Sequence, residues 1–457
     1  MKTIIISLNL IFLWISAQAQ FTFTDNGQRL GNSSSNDVAL GDIDGDGDLD
    51  AFVINGDWDT EEPNEVWFND GNGNFTAGDQ VFENSKCGEV GLADLDDDGD
   101  LDAFIAYYYY TSGEPNEVWF NDGTGHFTDS GQRLGHRNGG VALSDLDSDG
   151  DIDAFICNHI FENGTNGGLK IWLNDSTGHF IDSGQDLGNG NHTSVDLGDV
   201  DGDGDIDAFV TYNFNSAGNK VWINDGHAVF SAGQTVSMEY SVDAKLGDLD
   251  GDGDLDIFIT HHGGNKIWNN DGNGNFTDSG QTPGNADASA VGLADFDGDS
   301  DLDAFILNAL YQEPETNEIW SNDGAGIFTD SGLRPGTDES YDVALGDLDN
   351  DGDPDAFVAI VGANKVWLNS QLTGTNLQNI KNSSCIFPNP ASQTIQIKGI
   401  DLLLNKANYQ LTDLNGKTIK QGKLDAETID ISRLPKGIYM LSLYTDEGII
   451  NEKIVVE

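Results

Sequence analysis

Positive charge is what this sequence has least of: 20 lysines and arginines stand against 79 aspartates and glutamates, a formal net charge of −59. Such a surface repels phosphate backbones and anionic headgroups, which argues against nucleic acid or a membrane surface as partner and leaves cations as the natural one. Cysteine is almost missing. Cys87, Cys157 and Cys385 make an odd count with no disulfide framework, and Cys157, inside an apolar run, reads as a small buried hydrophobe. Long hydrophobic runs are also lacking, apart from Ile4 to about Ile15. That run follows a lysine and precedes Ala17-Gln18-Ala19, the pattern of a cleaved secretory signal over residues 1–19; it is short for a membrane anchor, the alternative. No other segment is apolar enough to cross a bilayer, so no span is expected in the mature chain. Nucleophile elbows, paired-histidine zinc helices and phosphate-cradling glycine loops are absent as well, and no catalytic residue is assigned.

What the chain does have is one acidic nine-residue loop, seven times over. Its aspartates, at positions one, three, five, seven and nine, are Asp42, Asp44, Asp46, Asp48 and Asp50; Asp94, Asp96, Asp98, Asp100 and Asp102; and Asp145, Asp147, Asp149, Asp151 and Asp153. Then come Asp199, Asp201, Asp203, Asp205 and Asp207; Asp248, Asp250, Asp252, Asp254 and Asp256; Asp295, Asp297, Asp299, Asp301 and Asp303; and Asp347, Asp349, Asp351, Asp353 and Asp355.

Successive loops start 47 to 54 residues apart, close to the length of a four-stranded propeller blade. Short apolar segments flank each loop (Val38 to Leu40 and Ala51 to Ile54 around the first) and read as strands. A third strand carries a tryptophan, as in EVWFND from Glu65, and a glycine turn leads to a fourth that begins at Phe75, Phe127, Phe180, Phe230, Phe276 or Phe328. The seventh unit stops at Asn369 and Ser370 without a fourth strand, while FTFTDNGQRLG from Phe21 matches the FTDSGQRLG of Phe127. Phe21 to Leu30 is therefore expected to be the outer strand of the seventh blade, closing the ring without a long unpaired edge. The fold predicted is all-β: a seven-bladed β-propeller over residues 20–370, then a small β-sandwich. A linear string of independent modules competes poorly, because a unit of ~50 residues lacks the core to stand alone.

In D-x-D-x-D-G-D-x-D, side chains at positions one, three, five and nine can converge on a cation, position seven can offer its carbonyl, and the glycine at six permits the sharp turn. That all-oxygen cage suits Ca2+, up to seven ions in all, and suits magnesium less, which demands an octahedron and keeps its waters. An EF-hand would need glutamate at position twelve between helices, but Val53, Ile105 and their counterparts are apolar and lie in strands. Ser300 replaces the glycine in the sixth loop and Pro354 stands at position eight of the seventh, so the sixth site is expected to be the weakest. Over residues 21–370 these loops resemble the FG-GAP or VCBS repeat family, whose calcium-loop propeller is best known from the integrin α head. The resemblance implies fold and metal; the family's adhesion, lectin-like and polysaccharide-lyase members leave function open.

Past Ser370 the composition changes. Residues 371–457 hold nine basic and nine acidic side chains, so the whole negative charge belongs to the preceding part. A polar linker over 371–384 leads to short alternating strands, Thr394 to Ile397, Tyr409 to Thr412, Thr418 to Gln421, Ile438 to Tyr444 and Ile449 to Val455. IFPNPASQTIQIK, LTDLNGKTIKQG, LPKGIYMLSLYT and the KIVV ending resemble the C-terminal sorting domain of Bacteroidetes type IX secretion cargo, over 385–457. The resemblance implies that the type IX machinery carries a Gram-negative bacterium's protein to the outer surface or beyond. An immunoglobulin-like accessory module is the alternative.

Loops on the face opposite the acidic ones carry Trp58, Tyr107, Tyr109, Tyr212, His261, His262 and Tyr311, side chains suited to stacking on sugar rings or docking a protein. The function expected is a calcium-binding binding or adhesion module for a glycan or protein ligand. The alternative is a polysaccharide lyase or hydrolase on the same scaffold, working through His261 or His262.

Overall fold

A computed structural model of the chain describes residues 20–456 except 57–59, 83, 86–87, 108–114, 136–137, 159–167, 189, 213–217, 262, 285–286, 309–315, 373–384, 388–393, 399–407, 414–416, 424–427, 432–433 and 446–447. The expected secretory signal therefore lies outside the described residues, as does most of the linker. Two compact units emerge, one of them Thr22–Ser370 and the other holding Gln371–Glu457. Every regular element among the described residues is a strand.

The larger unit is a β-propeller of repeated four-stranded antiparallel sheets. In the second repeat the strands are Gly88–Ala93, Asp102–Tyr107, Glu117–Asn121 and Phe127–Asp129, paired in that order, and the others follow suit. The second strand of each repeat begins on the ninth aspartate of its loop and is buried at every position in repeats one to six, as DAFVIN from Asp50 illustrates. Sheets on both sides cover it, so it reads as a continuous apolar run. The first strands lie against one another around a closed cycle in which Ser340–Gly346 returns to Leu30–Gly41.

Closure is by the N-terminal strand. Asp355–Leu372 runs as one 18-residue strand whose first half pairs with Ser340–Gly346, and Gln20–Asp25 occupies the outer edge beside it. The strand ends at Asp25, short of the expected Leu30. Gly27 has φ 86° and donates its N–H to Asp25 Oδ1 at 2.8 Å, so the chain turns there, and Leu30 already starts the next strand opposite Asn364. Phe23, rather than Phe21, takes the place of Phe127: it packs edge-on against Phe305 at 5.4 Å, as Phe127 packs on Phe52 at 5.3 Å. Phe104–Phe180, Phe155–Phe230, Phe258–Phe328 and Phe357–Phe75 repeat this contact between adjacent sheets. Each adds about 0.5–1.5 kcal/mol beyond its buried area.

In every repeat but the sixth a glutamine in or just after the fourth strand clamps the next sheet. Gln80 Nε2 donates to Phe127 O and Gln80 Oε1 accepts the Phe127 N–H, both at 2.8 Å. Gln28 and Gln234 hold Phe75 and Phe276 in the same way, while Gln132, Gln185 and Gln281 accept the N–H of Phe180, Phe230 and Phe328 and donate Nε2 to the carbonyls of Gly178, Ala228 and Gly326 two residues earlier. In the sixth repeat Leu333 stands where that glutamine would be.

Inside the ring a cavity of about 430 Å³ is lined by first-strand residues of all seven repeats, among them Asp37, Glu89, Asp243, Asp342 and Lys245. The carboxylates accept N–H groups of the neighbouring strands: Val90 to Asp37 at 2.7 Å, Val141 to Glu89 at 3.0 Å, Val291 to Asp243 at 3.2 Å. Burial pushes Glu89 up to about 8, and the Asp243 carboxylate holds Lys245 charged well past its ordinary range.

In the smaller unit a three-stranded sheet (Cys385–Phe387, Thr394–Lys398, Thr428–Asp430) accompanies a four-stranded one (Thr418–Lys423, Asn408–Asp413, Gly437–Thr445, Gly448–Val456). Ile395 and Ile429 of the first and Leu411, Tyr439 and Leu441 of the second are buried. The first and fifth of these strands in chain order, Cys385–Phe387 and Thr428–Asp430, are too short to show an alternation in sequence.

Candidate metal centres

Each acidic loop is folded by its own carboxylates. Position one accepts the N–H of position six in all seven copies, at 2.9–3.1 Å. Position five accepts that of position seven at 3.0–3.2 Å. The ninth aspartate is buried in every copy and takes two bonds. Its Oδ2 accepts the N–H of position two, as Ile43 to Asp50 at 3.0 Å. Its Oδ1 accepts the N–H of the asparagine that ends the third strand, as Asn69 to Asp50 at 2.8 Å.

Positions four and six both require positive φ. At position six the six glycines have φ 94–101° and Ser300 has φ 78°, while position four is filled by Gly45, Asp97, Ser148, Gly202, Gly251, Gly298 and Asn350 at 58–77°. Serine at φ 78° carries strain on the order of 1 kcal/mol. Ser300→Gly is accordingly expected to raise the melting temperature by a few degrees and tighten the sixth site; a calcium titration in which the variant is no tighter than the parent removes strain as the cause.

Oxygens of positions one, three and nine converge. In Asp42–Asp44–Asp50, Asp94–Asp96–Asp102, Asp145–Asp147–Asp153 and Asp248–Asp250–Asp256 one oxygen from each lies within 4.8 Å of the others; in the fourth loop the trio is Asp199–Asp201–Asp203. Calcium, with oxygens at 2.3–2.6 Å, spaces its ligands up to about 5 Å apart. One oxygen of the third-position acid, Oδ1 of Asp96, Asp147, Asp250, Asp297 and Asp349, is buried without a hydrogen-bond donor, as is Asp42 Oδ1. A buried carboxylate oxygen without a donor is costly, and a hard cation is the partner an all-oxygen cluster fits.

The seventh-position carboxylates turn away from the clusters. Those of Asp48, Asp100, Asp205, Asp254 and Asp301 lie where a Cβ on Gly71, Gly123, Gly226, Gly272 or Gly324 would stand, which is why those hairpins need glycine; Asp151 instead accepts Ser176 Oγ at 2.7 Å.

Burial, opposed by the two N–H bonds, raises the ninth-position acids: Asp50, Asp153, Asp207 and Asp256 to about 6, and Asp102, Asp303 and Asp355 to about 7. A folded-state value above the unfolded one of about 4 means the folded chain holds protons that the unfolded chain has released. That stabilisation is complete below pH ~4 and is lost as pH rises through 6 to 7. The metal-free chain is therefore expected to melt at a higher temperature at pH 5 than at pH 8. Scans in chelator check this, and equal or inverted melting points would refute it.

Three of the expected ligand-face residues are corrected by their burial. Tyr107, 7% exposed, gives its hydroxyl to Glu117 Oε2 at 3.0 Å, and Tyr212, 5% exposed, packs edge-on against His192 at 4.6 Å. His261, 2% exposed, sets Nδ1 2.9 Å from Tyr240 O and 3.1 Å from Ser241 Oγ, with Glu239 3.8 Å from Nε2. This Ser–His–Glu grouping is closed to substrate, since Ser241 is fully buried. All three end a second strand, where the neighbouring strands draw them inward. Trp58, Tyr109, His262 and Tyr311 lie outside the described residues.

Sequence reasoning missed the asparagine of each W-x-N. Asn69, Asn121, Asn174, Asn224, Asn270, Asn322 and Asn369 donate their side-chain amides to the position-two carbonyl of the preceding repeat's loop at 2.7–2.9 Å. Their invariant place after the tryptophan was the available signal.

The profile of the FG-GAP-like repeat matches residues 42–105, 94–156, 145–210, 248–306 and 295–358, and that of a secretion system C-terminal sorting domain matches 385–457. No curated protein matches the sequence. Solved structures similar in fold include PorZ, a surface component of the type IX secretion system of Porphyromonas gingivalis (12% identity, 89% of this chain and 58% of that chain, TM-score 0.46). Others are an Agrocybe aegerita lectin that recognises non-reducing terminal N-acetylglucosamine (19%, 74% and 87%, 0.44) and YCF48 of Cyanidioschyzon merolae (13%, 76% and 99%, 0.43).

Proposed function

Because the chain belongs to the FG-GAP-like repeat family and carries a type IX sorting domain, which makes it a secreted or cell-surface protein of the Bacteroidetes, we propose that it is a calcium-stabilised propeller presenting a binding surface to a glycan or protein ligand. Residues 20–370 form the seven-bladed binding module, 371–384 the linker and 385–457 the address read by the export machinery, with residues 1–19 removed as a signal. Positions one, three, five and nine of each loop, with the carbonyl of position seven, hold the ion. The observation that carries this reading is the convergence of carboxylates with a buried, donorless third-position oxygen. Extracellular calcium is abundant enough to fill sites of ~10⁻⁴ to 10⁻³ M affinity. The lyase or hydrolase reading gains no support from His261, which is sealed in its sheet.

A glycan array and a pull-down from surface extracts, each with the mature chain in calcium and in chelator, test the ligand claim. Calcium-dependent capture of a defined glycan or protein is expected. Capture of nothing in either condition would leave the propeller as a spacer and sink the binding role.

A further inference from the structure

The seven acidic loops are joined in one closed hydrogen-bonded circuit. From Asp50 the path runs to the Ile43 N–H at 3.0 Å; the Ile43 carbonyl accepts Asn121 Nδ2 at 2.8 Å; the Asn121 N–H reaches Asp102 Oδ1 at 2.8 Å. From Asp102 the same three steps lead through Leu95 and Asn174 to Asp153. They recur in every repeat until Asn69 Nδ2 takes Leu348 O at 2.9 Å and the Asn69 N–H returns to Asp50. Six of the seven asparagine amides, all but that of Asn369, also donate to the position-eight carbonyl of their own loop, as Asn121 does to Leu101 O at 3.1 Å. Every link is therefore a single residue that touches two candidate ion loops, one through its side-chain amide and the other through its backbone N–H to the ninth-position ligand.

From this circuit we infer that calcium ions load cooperatively around the ring, with the W-x-N asparagines as positioning residues that pass order from each loop to the next. The inference rests on the calcium reading above. An ion that draws positions one, three and nine together fixes the intervening peptide of position two. That peptide's carbonyl then holds the next asparagine, whose N–H holds the next ninth aspartate in place. The ordering entropy of a second site is thus partly spent when the first is filled, which is a coupling free energy between sites. Independent sites would need no amide at these positions; any small residue would end the strand.

The test is a calorimetric calcium titration of the full metal-stripped chain beside its Asn174→Ala variant, which keeps the backbone N–H and loses the bridge to Leu95 O. The expected result is a wild-type Hill slope above 1 that falls in the variant, with at least one affinity lowered about fivefold or more. Hydrogen exchange on Asp147→Asn gives a second readout. Weakening the third loop should speed exchange of the Leu95 and Val200 amides in the loops on either side at sub-saturating calcium. Calcium uptake with a slope of 1, indifferent to Asn174→Ala, or neighbouring amides unmoved by Asp147→Asn, overturns the coupling and leaves the calcium sites standing. No uptake by the wild type overturns both.

Discussion

Chelation of the calcium-loaded chain is expected to lower its melting temperature by more than about 20 °C. Each independent site at 100 times its dissociation constant contributes about 2.7 kcal/mol, so seven together reach on the order of 15–20 kcal/mol, at roughly 2–4 °C per kcal/mol for a domain of this size. The effect is amplified by what the ions leave behind. Like charges ~4 Å apart repel by about 4 kcal/mol per pair at an effective dielectric of 20, and at least five aspartates share each loop. Differential scanning calorimetry with and without chelator measures the shift. Superimposed traces would remove the metal from the account of stability, and full rescue by magnesium would remove the case for calcium.

Deletion of residues 20–29 is expected to be the most damaging local change. It strips the outer strand from Asp355–Leu372 and the Phe23 contacts with Phe296 and Phe305 at 5.2 and 5.4 Å. It also removes the Asn26 N–H bond to Val366 O and the Gln28 clamp on Phe75. An 18-residue strand left with a bare edge is a template for pairing with other chains. Size-exclusion chromatography should show aggregate in place of monomer, whereas a monomer of unchanged melting temperature would mean that the ring does not depend on its N-terminal strand.

The fold was legible because its signals are local and repeated. Nine consecutive residues carry the loop, and the burial of DAFVIN-type strands follows from their composition. What stayed hidden depends on partners far away in the chain. Asn121 meets Ile43 across 78 positions, and nothing beside it announces that bond. Asp37, Glu89 and Asp342 sit at alternating positions that would face water in an open sheet; only ring closure turns them into the walls of a cavity. Tyr107 and His261 show the converse. An aromatic or imidazole at a strand end can turn out to a ligand or in to the sheet, and partners such as Glu117 and Ser241 decide it.

Leu333, in place of a clamping glutamine, has a mechanical meaning. A protein held at a cell surface is tugged by flow, and a ring under tension parts at its least riveted joint. The missing clamp falls between the sixth sheet and the one completed by the N-terminal strand, so a pull on the ring is expected to open it there first, beside the strand that closes it.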